Sequence, residues 1–212
     1  MTNSEFINAI APIIVKEAKA RGYNYPSAII AQACLESNYG RSQLSAKYFN
    51  FFGLKCGSSW KGKSVNMKTC EEYTTGTLTQ IKDNFRAYDN MTEGVKGYFD
   101  FIKAKRYNNL KEATSPIDYL TKIKADGYAT SSTYVNNVYS TLTSNNLTRY
   151  DGNSNTSEEV NSVQRRLIEA IAKDVVRGKY GNGEARKSRI EAMGYDYKEV
   201  QAVVNDILKG RK

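Results

Sequence analysis

The chain contains no histidine. That absence removes Ser-His-Asp and Cys-His catalysis and most zinc chemistry, so neither a metal nor another cofactor is expected. Its three cysteines cannot form a full disulfide framework. Cys34 reads as a small buried residue. Cys56 and Cys70 lie 14 positions apart around a polar stretch, and either bridge outside the cell or stay as free thiols. No run of 18 apolar residues occurs, so no membrane span and no stable membrane insertion are expected. The opening Met1-Thr2-Asn3-Ser4-Glu5-Phe6 lacks the basic region and long apolar core of a secretory signal. Proline is scarce, three in all, so Pro12, Pro26 and Pro116 are each local signals.

What is present fits a globular chain of one or two domains: 212 residues, 40% hydrophobic and 25% charged. Net charge is +9, divided as +6 over residues 1–156 and +3 over 157–212. A spread basic excess suits a polyanionic partner. No DNA- or RNA-reading motif accompanies it, so nucleic acid is not the expected partner.

Apolar spacing predicts a helix over 4–22, carried by Phe6, Ile7, Ile10, Ile13 and Ile14, with Pro12 kinking it or breaking it in two. A second helix spans 26–37, and Ser42–Lys47 adds a short one. Lys63–Tyr73 and Thr77–Tyr88 read as antiparallel strands joined through Thr74-Thr75-Gly76. Helices return at Thr92–Lys105, Pro116–Ala125 and Thr133–Asn145. Residues 151–157 form a polar linker. Helical segments at 158–177, 183–193 and 198–209 follow, with apolar Val163, Leu167, Ile171, Val175, Ile190, Met193, Val200, Val203, Val204, Ile207 and Leu208. This is a mostly helical α+β chain with a small β-lobe and a three-helix tail.

Glu36 ends a run that is apolar until its last turn, and helical spacing places it on one face with Ile29 and Ala33. That position predicts a carboxyl beside packed apolar surface, its pKa raised by burial, as a general acid requires. A solvated helix-end glutamate is the alternative, although a helix C-terminus disfavours negative charge.

Ala31-Gln32-Ala33-Cys34-Leu35-Glu36-Ser37-Asn38-Tyr39-Gly40 resembles the catalytic helix of glycoside hydrolase family 73, the N-acetylglucosaminidases of autolysins, flagellar wall-piercing proteins and phage lysins. The resemblance continues in order through Asn50-Phe51-Phe52-Gly53-Leu54-Lys55, Trp60-Lys61-Gly62, Glu72-Tyr73-Thr74-Thr75-Gly76, Phe85-Arg86-Ala87-Tyr88 and Gly127-Tyr128-Ala129-Thr130-Ser131-Ser132-Thr133-Tyr134. It covers roughly residues 4–147. It implies a lysozyme-like catalytic domain with Glu36 as general acid. Glu72 is implied as the second carboxyl across a cleft, with Glu71 on the opposite face of the strand. An inverting route and a route assisted by the substrate's 2-acetamido group both stay open. Tyr134 is implied beside the acid, to orient substrate or stabilise charge, or else is a core aromatic. Sixteen tyrosines suit a glycan cleft. Trp60, Tyr88 and Tyr128 are the candidate substrate-binding aromatics, with core packing as the competing role.

In the tail, Ile171 to Arg186 and Gly194 to Asn205 resemble the CW_7 cell-wall-binding repeat, with Tyr180 where the family often carries tryptophan. Tyr180, Gly181, Asn182, Gly183 and Arg186 are the candidate wall-binding residues: a tight turn into a helix, whose free N–H groups suit an anionic or acetamido group. The expected organisation is a catalytic domain at 1–150, a linker at 151–157 and a wall-binding repeat at 158–212. The expected function is cleavage of the β-1,4 bond on the reducing side of N-acetylglucosamine in bacterial peptidoglycan. Glycan strands and muropeptides are then the partners, with the oligomeric state left open. The lysin-type repeat without an evident signal points to a phage endolysin, made in the host cytoplasm and acting on the wall after release; an extracellular autolysin is the neighbouring reading. A lytic transglycosylase or muramidase on the same glycan, and a non-catalytic wall-binding protein, are the alternatives.

Overall fold

A computed structural model describes residues 1–74, 77–151, 157–192 and 195–210, with backbone alone at 69–74, 77–81, 157–164, 167 and 192. The chain divides into two compact units, Met1–Asn153 and Ser154–Lys212. Residues 152–156 of the expected linker, Thr75-Gly76 of the expected hairpin turn, and Met193 lie outside the described residues.

The first helix, α1 (Asn3–Arg21), starts where the sequence supplies a capping box. Thr2 Oγ1 accepts from the Glu5 N–H, and the Glu5 carboxylate accepts from the Thr2 N–H. Its buried stripe is Phe6, Ile7, Ile10, Ala11, Ile14 and Ala18. The helix runs through Pro12 without dividing. Pro12 is exposed, as is Asn8, whose carbonyl loses its helical partner, so water can take the bond that proline cannot make.

The second helix, α2 (Pro26–Glu36), is buried at every position from Pro26 to Cys34. A helix apolar on all sides belongs at the centre of a domain. It packs against α1 and against α6 (Tyr134–Ser144). Burying Ile29 and Ile30 completely contributes about 1.5–3 kcal/mol each. Tyr25, at the N-cap, makes no side-chain capping bond; its hydroxyl donates to Thr114 O instead. Asp151 supplies the cap from 124 residues away, accepting from Ser27 N at 2.9 Å and Ser27 Oγ at 2.6 Å.

After α3 (Gln43–Tyr48), the strands β1 (Ser64–Thr74) and β2 (Thr77–Arg86) pair antiparallel from Ser64↔Arg86 to Thr74↔Thr77, with an irregularity between Glu72 and Thr74. Then follow α4 (Met91–Phe101), a 3₁₀ segment at Lys105–Glu112, α5 (Pro116–Ala125), α6 and a closing 3₁₀ turn at Leu147–Tyr150. The first 3₁₀ segment begins where the sequence predicted the end of a longer α4. Tyr107 and Leu110, three apart, put both apolar groups on one edge of a 3₁₀ turn, and both are buried.

The second unit comprises α7 (Ser157–Val176), α8 (Gly183–Ala192) and α9 (Tyr197–Leu208). Its core joins Ile168, Ile171, Ala172, Val175, Ile190, Val200 and Val204 with Tyr180 and Tyr195. Leu208, expected among the apolar positions, is 68% exposed at the last residue of α9.

Candidate functional site

The apolar run of α2 stops at Cys34; Leu35 and Glu36 are exposed. The expected burial of Glu36 is therefore not what the fold provides. Ser37 Oγ donates to Ala33 O at 2.5 Å and accepts from Gly40 N at 2.7 Å. Asn38, Tyr39 and Gly40 are all left-handed, at φ 49°, 53° and 76°. That reversal swings the chain off the helix axis and removes the turn that would have covered the carboxyl. Glu36 opens instead into a cleft of about 1150 Å³.

The segment from Phe52 to Lys55 forms part of the cleft wall, and Asn50 lies just before it. Asn50 is 2% exposed and ties three backbone groups: its Nδ2 donates to Leu54 O (2.9 Å) and Arg86 O (2.8 Å), and its Oδ1 accepts from Leu54 N (3.0 Å). One side chain thus fixes the loop to the end of β2. Within the loop, Gly53 has φ 62°, and a Cβ there would stand 3.6 Å from Glu36 Oε2. Glycine is needed for the conformation and keeps space open beside the carboxyl.

Tyr134 begins α6 and is 4% exposed. Its hydroxyl accepts from Gln32 Nε2 at 2.6 Å. Burial first, and the Glu36 charge second, push the Tyr134 phenol well above the usual tyrosine range, so it keeps its proton. The Tyr128 phenol is raised as well, by burial, then Tyr134, then Glu36. Tyr128 Oη donates to Phe52 O at 2.7 Å, which commits its proton to the backbone. Glu36, Tyr134 and Tyr128 all line the cleft.

Trp60 also lines it, held by a bond from Nε1 to Lys63 O (3.0 Å) and covered by the Arg86 guanidinium, 4.5 Å from the ring centroid. Tyr88 does not line the cleft: its ring meets Trp60 edge-on at 5.9 Å, and its hydroxyl end lies against Gly97. Among the described lining residues, Lys55, Lys68, Arg86, Lys103 and Arg106 outnumber the carboxylates of Glu36 and Asp100. Glu72 lies on β1 with its backbone opposite Leu78, and its side chain is outside the described residues.

Sequence reasoning missed Gln32, Asn50 and Asp151. Gln32 had a signal: a lone amide in the apolar run from Ile29 to Cys34, four residues before Glu36. Asn50 was quoted only as part of a motif. Asp151 had none, since its partner is Ser27.

In the second unit, the candidates from Tyr180 to Arg186 come together in one turn, with Gly181 at φ 74° and Gly183 at φ 59°. Tyr180 belongs to the core. Arg186 bonds its own turn, Nε to Gly181 O at 2.9 Å and Nη2 to Asn182 Oδ1 at 2.6 Å. Cys34 and Cys56 are free thiols, and burial pushes the Cys34 thiol up to about 12. Among the described residues, no helix is long and apolar enough to cross a membrane.

Comparison with known proteins places these features in a family. A probable N-acetylmuramidase of Lactococcus lactis subsp. cremoris is 35% identical over 163 residues, covering 72% of this chain and 36% of that protein. The exo-glucosaminidase LytG of Bacillus subtilis is 33% identical over 132 residues, covering 59% and 46%. The chain therefore spans between about a third and a half of the length of these relatives. The catalytic domain of the autolysin Auto from Listeria monocytogenes superposes with a TM-score of 0.58 at 34% identity, covering 70% of this chain and 87% of that one. A mutant of a peptidoglycan hydrolase from Sphingomonas sp. A1 gives 0.61 at 28% identity, covering 70% and 97%. Residues 169–208 match the CW_7 repeat. Residues 11–147 match the Glucosaminidase family, described as mannosyl-glycoprotein endo-beta-N-acetylglucosaminidase, and the chain belongs to that family.

Proposed function

We propose that this chain hydrolyses the glycan strands of bacterial peptidoglycan, with Glu36 as general acid, cleaving the β-1,4 bond on the reducing side of N-acetylglucosamine. The observation that carries the reading is the exit of Glu36, at the end of a helix buried from Pro26 to Cys34, into a large cleft that it shares with a tyrosine that keeps its proton. Glu36 protonates the bridging oxygen as the bond to the anomeric carbon breaks. Glu36 is exposed to the cleft, and a bound glycan that displaces water from the carboxyl favours its protonated form. Tyr134 donates a hydrogen bond as charge develops. Glu72 is the candidate base for an attacking water; in the substrate-assisted alternative the 2-acetamido oxygen attacks instead. Proton NMR of the first-formed anomer separates the two, since inversion requires Glu72 and retention does not.

The Trp60 ring and the basic lining suit a sugar chain bearing anionic peptides. The CW_7 repeat, through the turn at Tyr180 to Arg186, retains the enzyme on wall muropeptides. Its site of action is the cell wall, reached as a phage endolysin or as a secreted autolysin.

The name of the Lactococcus relative supports a second reading, a muramidase cutting the alternate bond, whereas LytG and the matching family are named for the glucosaminidase activity. Mass spectrometry of borohydride-reduced wall digests decides between them. Reducing N-acetylglucosamine ends support the proposal. Reducing N-acetylmuramic ends replace it with the muramidase reading, and anhydro-muramic ends with a lytic transglycosylase.

A further inference from the structure

Beneath the cleft, four buried side chains form a continuous hydrogen-bonded chain. Tyr119 Oη meets Tyr98 Oη at 2.7 Å, Tyr98 Oη meets Gln32 Oε1 at 2.8 Å, and Gln32 Nε2 meets Tyr134 Oη at 2.6 Å. Tyr119, Tyr98 and Gln32 are 1%, 0% and 0% exposed, and none lines the cleft. Each hydroxyl has one proton to give, so the chain can run in two directions only. If it ran inward, which requires the Gln32 amide turned over, Tyr134 would donate to Gln32 Oε1, Gln32 Nε2 to Tyr98 and Tyr98 to Tyr119. The Tyr119 proton would then be buried with no acceptor among the described residues, a costly state. If it runs outward, Tyr119 donates to Tyr98, Tyr98 to Gln32 Oε1, and Gln32 Nε2 to Tyr134. Every buried proton then has an acceptor, and the Tyr134 proton faces the cleft.

We infer that Gln32 is a positioning residue: held by Tyr98 and Tyr119, it donates to Tyr134 and so turns the Tyr134 proton toward Glu36. The inference rests on the reading of Glu36 as the acid. After Glu36 gives its proton to the leaving oxygen, Tyr134 donates a hydrogen bond to the carboxylate that remains, and no proton leaves Tyr134. Gln32 lies four residues before Glu36, on the same face of α2, so one helix carries both the acid and the amide that orients its neighbour. The raised Tyr134 phenol keeps this donor in place across the working pH range.

Gln32→Glu tests the direction. A protonated carboxyl accepts from Tyr98 and donates to Tyr134, as the amide does. An ionised one accepts only, and turns the Tyr134 proton inward. Activity on purified peptidoglycan, divided by the folded fraction from circular dichroism at each pH, is therefore expected to rise roughly tenfold relative to wild type as pH falls from 8 to 5. A folded Gln32→Glu with a profile parallel to wild type overturns the inference. Tyr98→Phe covers the case in which Gln32→Glu does not fold. It keeps the ring but frees the amide, and is expected to lower kcat roughly 2- to 10-fold at unchanged KM. An unchanged kcat also overturns the inference. Glu36→Gln, assayed in parallel, separates the failures: if it cleaves normally the acid assignment itself is wrong, whereas if it is inactive and the Gln32 and Tyr98 variants behave like wild type, only the relay is wrong.

Discussion

In the unit from Met1 to Asn153 the core takes in Ser27, Gln32, Ser37, Asn50 and Asp151; in the unit from Ser154 to Lys212 the described core holds aliphatic residues and two tyrosines. Burying polar groups costs stability unless each is hydrogen-bonded. The first unit is large enough to bear that cost: Gln32 and Asn50 fix Tyr134 and the Gly53 loop of the cleft, and Asp151 fixes the start of the helix that carries Glu36. The second is near the lower limit of size for folding alone. Its polar candidates sit at a surface turn, where they place no such load on the core. Catalysis needs groups held from within, while adhesion to a polymer can be carried by surface groups.

The largest stability effect that sharpens this contrast is expected from Asn50→Ala. It removes three hydrogen bonds and strands buried backbone groups, costing about 2–4 kcal/mol by denaturant unfolding. A loss below 1 kcal/mol would break the comparison. Tyr134→Phe is expected to lower kcat by roughly 10- to 100-fold, the worth of a hydrogen bond to a charged group, and to cost about 1–3 kcal/mol of stability because the buried Gln32 amide loses its acceptor; equal kcat in the folded variant would make Tyr134 a core aromatic only. Asp151 gives a smaller, pH-dependent effect. Burial pushes its carboxyl up to about 6, against the two bonds from Ser27. The folded state then holds a proton that the unfolded state releases, so this contribution to stability is full below about pH 4 and is lost as pH rises through about 6. The melting temperature of wild type minus that of Asp151→Asn should fall across that window, and a rise would contradict the assignment. Arg186→Ala should have the smallest effect, about 1 kcal/mol or less from its exposed turn, with weakened retention on purified wall. Lowered stability with unchanged retention would make the turn structural only.

Local patterns made much of this molecule readable. The amphipathic stripe of α1, the proline starts of α2 and α5, and the change to β-texture before β1 all lie within single segments. Glu36 stood out for the same reason, as a charge closing an apolar run. Its exposure did not, because that depends on left-handed backbone at Asn38 and Tyr39, residues whose types do not demand it. Gln32 was visible as a lone amide but had no partner until Tyr98 and Tyr134 arrived from other helices. Tyr88 and Trp60 looked equivalent as candidate platforms. Tertiary packing separated them, placing Trp60 in the cleft wall and the Tyr88 hydroxyl against Gly97.

The central claim is that one carboxyl at the mouth of the buried helix delivers the proton. The most direct test is the rate of reducing-end release from purified peptidoglycan by wild type and by Glu36→Gln, with matched melting temperatures. The account predicts a loss of roughly 10²- to 10⁴-fold. Cleavage at the wild-type rate by folded Glu36→Gln would contradict it.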